Sequence, residues 1–322
     1  MTVSPVPLLT ESKDWLQGIE IPSRIAVAWS GGADSTALLL ALKGAGSDVE
    51  AWHVDHGWHQ ASNEHAKALR VKASEWKIPF ISAQLKAPAF SNREGRARQE
   101  RYAMFSKWSE ERDLRVLCLG HHLDDQVETV CLRLLQGAGV MGCRGMRRQH
   151  KIGELQLLRP LLHVSRASII DALTAVGVAW FEDPSNSDLS LRRNLIRHRF
   201  FPAMRRAGFE PVDLLMRWQR QAVRLSDVLM EQLQDIEYSQ SGTSISTDWF
   251  GWRNQSPPLR AMMLQEMASR LLGQGTVLGR RHIRLTEKWL CDGASGGVDL
   301  TRTRLWRDRQ GLHLELAAAK VR

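Results

Sequence analysis

Short apolar runs and stretches of helix-forming residues alternate along the first half of the chain. Ile25-Ala26-Val27-Ala28-Trp29 is short and uniformly apolar, as a strand buried on both faces would be. Thr36-Ala37-Leu38-Leu39-Leu40-Ala41-Leu42 follows, made of strong helix formers and closed by Lys43-Gly44. Residues 49–54, 80–83 and 115–120 predict three more strands, and 62–76, 94–108 and 124–135 predict the helices around them. This alternation predicts an α/β fold, a doubly wound parallel sheet with right-handed crossovers. The ligand crevice of such a sheet lies beyond the carboxyl ends of its strands. The loops after Trp29, Val54 and Leu119 all fall there.

The pattern changes beyond Pro211. Residues 214–234 read as a long amphipathic helix rich in Arg and Gln, 257–272 as another helix, and 298–316 as a hairpin turning at Gln310-Gly311. The expected division is 1–212 for the α/β domain and 213–322 for a smaller, mainly helical domain ending in a β-hairpin. Residues 1–10 lack the basic flank and apolar core of a signal peptide, and no apolar run approaches a membrane span. A cytoplasmic protein without a membrane partner is expected.

Charge narrows the choice of partner. Lys and Arg number 44 against 35 acidic residues, a formal charge of +9. Arginine-rich clusters recur at 144–151, 192–199, 205–206, 280–284 and 302–309. The planar guanidinium suits phosphates and base edges, so the clusters point to a nucleic acid. Cys118, Cys131, Cys143 and Cys291 form no C-x-x-C, which disfavours a zinc ribbon and a disulfide framework.

The first loop, Ser30-Gly31-Gly32-Ala33-Asp34-Ser35, has the chemistry of a phosphate cradle. Its glycines allow a sharp turn and close backbone approach, and the following helix adds free N–H groups and its positive dipole end. No Walker-type G-x-x-x-x-G-K-[ST] is present. Gly137-Ala138-Gly139-Val140-Met141-Gly142 matches G-x-G-x-x-G but follows a helix instead of a strand, and reads as a plain loop. The first loop carries instead a carboxylate, Asp34, suited to Mg²⁺ or nucleotide hydroxyls.

The other loaded segment is His121-His122-Leu123-Asp124-Asp125-Gln126-Val127-Glu128-Thr129, which opens a helix after the fourth strand. Asp125 and Glu128 share one face of that helix. Capping and dipole complementation would also place acids there, and a divalent-metal hydrolase using His53-Val54-Asp55-His56 is a competing chemistry.

The S-G-G-x-D-S string resembles the pyrophosphatase loop of enzymes that activate a substrate as an adenylate. The H-H-x-D-D-Q-x-E-T string resembles a motif of the tRNA(Ile)-lysidine synthase family. Further segments similar to that family follow in the same order: Val54-Asp55-His56-Gly57, Arg96-Ala97-Arg98-Gln99-Glu100-Arg101-Tyr102, Gly145-Met146, Leu158-Arg159-Pro160-Leu161-Leu162, Trp180-Phe181-Glu182-Asp183-Pro184-Ser185-Asn186 and Arg193-Asn194-Leu195-Ile196-Arg197. Trp58-His59 and Gln136 depart from it, since relatives carry a leucine and basic residues there.

The resemblance implies a Rossmann-like PP-loop ATPase and an ATP-dependent ligase. The wobble cytidine of a CAU-anticodon tRNA(Ile) would be adenylated at its C2 oxygen, and free L-lysine would displace AMP to give lysidine. ATP and Mg²⁺ are the implied cofactors. Ser30, Gly31, Gly32, Ala33, Asp34 and Ser35 would hold the phosphates, Asp34 the metal, and Ala26, Val27 and His53 the adenine. Asp34, His121, Asp125 and Glu128 would be catalytic. Asp125 and Glu128 would face the lysine amines and Arg101 its carboxylate, with His121 lining the pocket. Arg192, Arg193, Asn194 and Arg197 would grip the anticodon loop. The general base stays open among the neighbouring carboxylates and histidines, and the oligomeric state between monomer and homodimer. Rival functions are the same activation with another nucleophile, the metal hydrolase, and a basic RNA-binding module without catalysis.

Overall fold

The computed structural model describes residues 22–55, 62–85, 93–182, 188–189, 191–273, 278–300, 302–309 and 311–317. The chain divides into two compact units, one of Met1–Gly137 with Gly142–Gln219 and the other of Ala138–Met141 with Arg220–Arg322. The long helix expected over 214–234 is therefore shared between the units.

The first unit opens with β1 (Arg24–Ala28), α1 (Ala33–Gly44), β2 (Asp48–Asp55) and α2 (Ser62–Glu75). It continues with β3 (Phe80–Gln84), α3 (Arg93–Arg112), β4 (Val116–Cys118) and α4 (Leu123–Leu135). The short α5 (Val140–Cys143) spans the junction of the units, and β5 (Gln149–Ile152), β6 (Leu155–Leu158) and α6 (Arg166–Ala175) follow. After these come α7 (Arg192–Leu195), a π-helical turn at Ile196–Phe200, α8 (Phe201–Arg206) and α9 (Pro211–Gln234). The strands pair in the order β3-β2-β1-β4-β6-β5, all parallel except β5.

Burial on both faces explains the uninterrupted apolar runs. Ile25 and Val27 of β1 enter one core with Val116 and Cys118 of β4, α1, and Ile169 and Leu173 of α6. The intervening Ala26 and Leu117 point into a second core with Trp52, Phe105 and Trp108. Residues of α1 from Ala33 to Leu42 are buried all round apart from Asp34, so the helix sits inside the unit. It begins at Ala33, earlier than its apolar run suggests, because Ala33, Asp34 and Ser35 of the glycine loop form its first turn. The β5–β6 hairpin and α6 are additions to the sequence reading. Gln149-His150-Lys151 is polar and exposed, and an edge strand of that composition carries no apolar signal.

In the second unit, β7 (Ser239–Ser241) and β8 (Ser244–Thr247) precede α10 (Trp249–Arg253), α11 (Pro257–Leu272) and α12 (Arg280–Cys291). Then come β9 (Gly297–Leu300), β10 (Thr303–Arg307) and β11 (Leu312–Leu316). The expected hairpin is β10–β11, set within an antiparallel sheet ordered β7-β8-β11-β10-β9. Trp249, Trp252, Trp289, Met263 and Leu314 fill its core. No helix among the described residues is long and apolar enough to cross a membrane.

Candidate active site

The order of the parallel strands reverses between β1 and β4, and the loops following these two strands meet there. Gly31 adopts φ +85°, a conformation that demands glycine, and a Cβ on it would also press on Leu69 Cδ2 at 2.7 Å. Ser35 Oγ receives the Ser30 N–H at 3.1 Å, lies 3.0 Å from Ser30 Oγ and is 3.2 Å from the Gly32 carbonyl. No side chain caps α1 among the described residues. Its first-turn N–H groups, at Ala33, Asp34 and Ser35, therefore have no side-chain acceptor there and suit an anion. A Cβ on Gly120 would fall 2.9 Å from the Ser35 nitrogen, which shows how tightly the β4–α4 loop abuts this turn.

A cavity of about 240 Å³ lies beside the two loops, and Ser30, Gly32, Asp34, Ser35, His53, Arg101 and His121 all line it. Three buried atoms on these residues, Asp34 Oδ1, His53 Nε2 and His121 Nδ1, have no hydrogen-bond partner among the described residues. Orphans of this kind are uncommon, and three at one cavity mark a place built for a polar ligand. His53 Nδ1 lies 2.9 Å from the Trp29 carbonyl, and burial holds the ring below its ordinary pKa. A neutral His53 thus donates through Nδ1 and offers Nε2 as an acceptor. Burial also drives His121 down to about 4, with Arg159, Arg193 and Arg98 assisting against Asp125.

Ala26 and Val27 do not reach this cavity. Both pair with β2 on one side and β4 on the other, so the ladder occupies their backbone groups. The strand end at Ala28-Trp29 does line the cavity, together with Trp52 and Val54.

A string of charges runs from the glycine loop into α4. His122, almost fully buried, has Nε2 3.6 Å from Asp34 Oδ2 and 3.4 Å from Asp125 Oδ2, with Nδ1 3.5 Å from Asp124 Oδ2. Burial opposes its charge, but these three carboxylates outweigh burial and hold its pKa above the ordinary value. Contact with His122 in turn brings Asp124 down to about 2. Arg197 lies 3.9 Å from Asp125 Oδ1 and donates from Nε to Glu128 Oε1 at 2.6 Å. Glu128 is 1% exposed, and burial raises its carboxyl despite that partner. Its Oε2 is a further orphan among the described residues.

The basic segment expected to hold RNA divides. Arg197 sits on the π-helical turn and points inward to Glu128. Asn194 is buried and donates to the Asp188 carbonyl at 2.9 Å, which makes it a local scaffold residue. Arg193 Nη2 donates to Thr129 Oγ1 at 3.1 Å, while Arg192 is exposed. His56, Gly57, Trp58, His59, Asp183, Pro184, Ser185, Asn186 and Gln310 lie outside the described residues.

Asp34 suits a magnesium ion, since its Oδ1 is a buried carboxylate oxygen with no partner among the described residues. Among the described residues, however, no set of three His, Cys, Asp or Glu is grouped to hold a metal, the Asp34 cluster included.

Residues 9–204 match the PP-loop domain family. The tRNA(Ile)-lysidine synthase of Chlamydia pneumoniae is 33% identical over 219 residues, covering 67% of this chain and 69% of that protein. This chain belongs to the tRNA(Ile)-lysidine synthase family. The family member from Pseudomonas fluorescens (strain Pf0-1) is 34% identical over 261 residues, which cover 77% of this chain and 55% of that one. The U34-tRNA thiolase NcsA from Methanococcus maripaludis shares the fold, with a TM-score of 0.53 at 16% identity over 66% of this chain and 79% of its own. Within the family's motif, the structure adds His122 to the residues singled out from sequence, and its place at the N-cap, just before Asp124 and Asp125, was the available signal. It also adds Arg166, whose Nη1 reaches Asp34 Oδ2 at 3.2 Å. No local pattern marks that arginine.

Proposed function

We propose that this chain adenylates the C2 oxygen of the wobble cytidine in a CAU-anticodon tRNA(Ile) and joins free L-lysine to that carbon, releasing AMP and pyrophosphate. The observation that carries this reading is the unbroken string Asp34–His122–Asp125–Arg197–Glu128, which links a phosphate cradle to buried carboxylates suited to an amine. Names of relatives supply the tRNA and the product, and the PP-loop supplies the use of ATP.

The residues fit the chemistry in order. Ser30, Ser35 and the first-turn N–H groups of α1 would bind the phosphates, and the walls at Ala28-Trp29 and Trp52–Val54 would take adenine beside His53. A magnesium ion at Asp34 would neutralise charge developing on pyrophosphate. Asp125 and Glu128 would attract the lysine amines, and Arg101 the carboxylate. The attacking ε-amine must shed a proton as its nitrogen bonds to C2 and the C2–O bond to AMP breaks. Glu128, its carboxyl raised by burial, is better matched to accept that proton than His121, which burial makes a weak base. Glu128→Gln should retain ATP binding, raise the KM for lysine by about tenfold through the loss of one charge-assisted hydrogen bond, and lower kcat because the amide accepts no proton. An unchanged lysine dependence in steady-state assays would overturn the assignment.

A further inference from the structure

We propose that Arg166 is a positioning residue that neutralises Asp34 while no nucleotide is bound and moves to the polyphosphate when one arrives, coupling metal binding to ATP binding. The inference rests on the ATP reading above.

Asp34 is divided between two tasks. Its Oδ2 receives Arg166 Nη1 at 3.2 Å and stands 3.6 Å from His122 Nε2, while Oδ1 is buried without a partner among the described residues. The protein thus supplies its own cation to one oxygen, while the other, unpartnered among the described residues, suits an incoming one. A guanidinium and a divalent ion on one carboxylate repel each other, so Arg166 in this position weakens the metal site.

The arginine is built to let go. Its backbone N–H is fixed by Asp124 Oδ2 at 2.8 Å, and Ser165 caps the start of α6 by accepting from the Ser168 N–H at 3.1 Å. The main chain is therefore anchored independently of the side chain. Among the described residues the guanidinium has Asp34 as its one side-chain partner, and the side chain is 37% exposed. A polyphosphate offers a planar guanidinium two acceptors at once, a better partner than a single carboxylate oxygen. Nucleotide would draw Arg166 away, free Asp34 for the metal, and by linkage each ligand would tighten the other.

The test uses Mn²⁺ alone as probe, followed by electron paramagnetic resonance on the nucleotide-free chain, with ATP affinity measured by calorimetry. Arg166→Gln should bind Mn²⁺ roughly tenfold more tightly than wild type and ATP roughly tenfold more weakly, each change matching one charge-assisted contact. A merely structural arginine would weaken both. Arg166→Lys should shift both affinities in the same directions by less, and it carries the test if the glutamine variant does not fold. Asp34→Asn should abolish the gain in Mn²⁺ affinity. Unchanged or weaker Mn²⁺ binding in the Arg166 variants, or a gain that survives Asp34→Asn, would overturn the proposal. A wild-type chain that binds no ATP refutes the ATP reading and this inference together, which tells that failure apart from the other two.

Discussion

The two walls of the crevice are held by different forces. The glycine-loop wall is backbone geometry: Gly31 at positive φ, Gly120 pressed on the first turn of α1, and serine hydroxyls closing the loop on itself. The α4 wall is side-chain electrostatics, with His122, Asp124, Asp125, Arg197 and Glu128 buried or half-buried around one another. The first should tolerate changes of pH and salt but no added atom. The second should tolerate changes of size but no lost charge. A rigid anion cradle thereby adjoins a polar wall whose charges would shift, in the proposed reaction, as an amine binds and loses its proton.

The largest expected effect breaks the first wall. Gly120→Ala puts a Cβ about 3 Å from backbone of the α1 turn, where nothing flexible can yield. The resulting displacement of the cradle should lower kcat/KM about a hundredfold, the usual consequence of a 1 Å misplacement near the chemistry. This loss should be insensitive to pH. Activity within a few-fold of wild type would show that the loops are not packed as described.

Breaking the second wall costs stability first. Arg197→Gln leaves the Glu128 carboxylate buried without its cation, a destabilisation of about 3 kcal/mol by urea denaturation. Adding Glu128→Gln should recover part of that loss, so the double variant falls short of the sum. The cost should also shrink as pH falls and Glu128 takes up a proton. Simple additivity would show that the pair is not coupled.

A smaller effect separates the walls by pH. Burial pushes folded His121 down to about 4, whereas the unfolded ring takes its proton near the ordinary 6.5. Between those values the unfolded chain holds the extra proton, so stability falls as pH falls. Asp124 acts lower still: its contribution is present above the ordinary 3.8 and is lost as pH drops toward about 2. His121→Gln should remove about 2 kcal/mol of the loss between pH 6.5 and 4, a figure discounted from the full shift. An unaltered slope would mean that His121 is not the group responsible.

How much of this was legible in the sequence follows the same division. The cradle is local, and Ser30 to Ser35 announce it by glycine, hydroxyl and position after an apolar run. The doubly wound parallel sheet around it follows from the alternating patterns. The partners of its side chains do not. Arg197 is 69 residues from Glu128, and Arg166 is 132 from Asp34. Only the chain path brings them together, so Arg197 reads in sequence as one more basic residue of a cluster. Ala26 and Val27 show the complementary case: apolarity marks the strand but not where its ladder stops, and Ala28 and Trp29 are the residues that line the cavity. The polar edge strand β5 was hidden because it buries too little to leave a pattern.

The central claim is tested most directly by ATP-dependent incorporation of labelled lysine into acid-precipitable tRNA, comparing CAU-anticodon tRNA(Ile) with tRNA(Met). Incorporation into tRNA(Ile) alone, abolished by Asp34→Ala, is the predicted result. No incorporation, alongside pyrophosphate release stimulated by the same tRNA, would contradict lysine as the nucleophile while leaving the adenylating cradle in place.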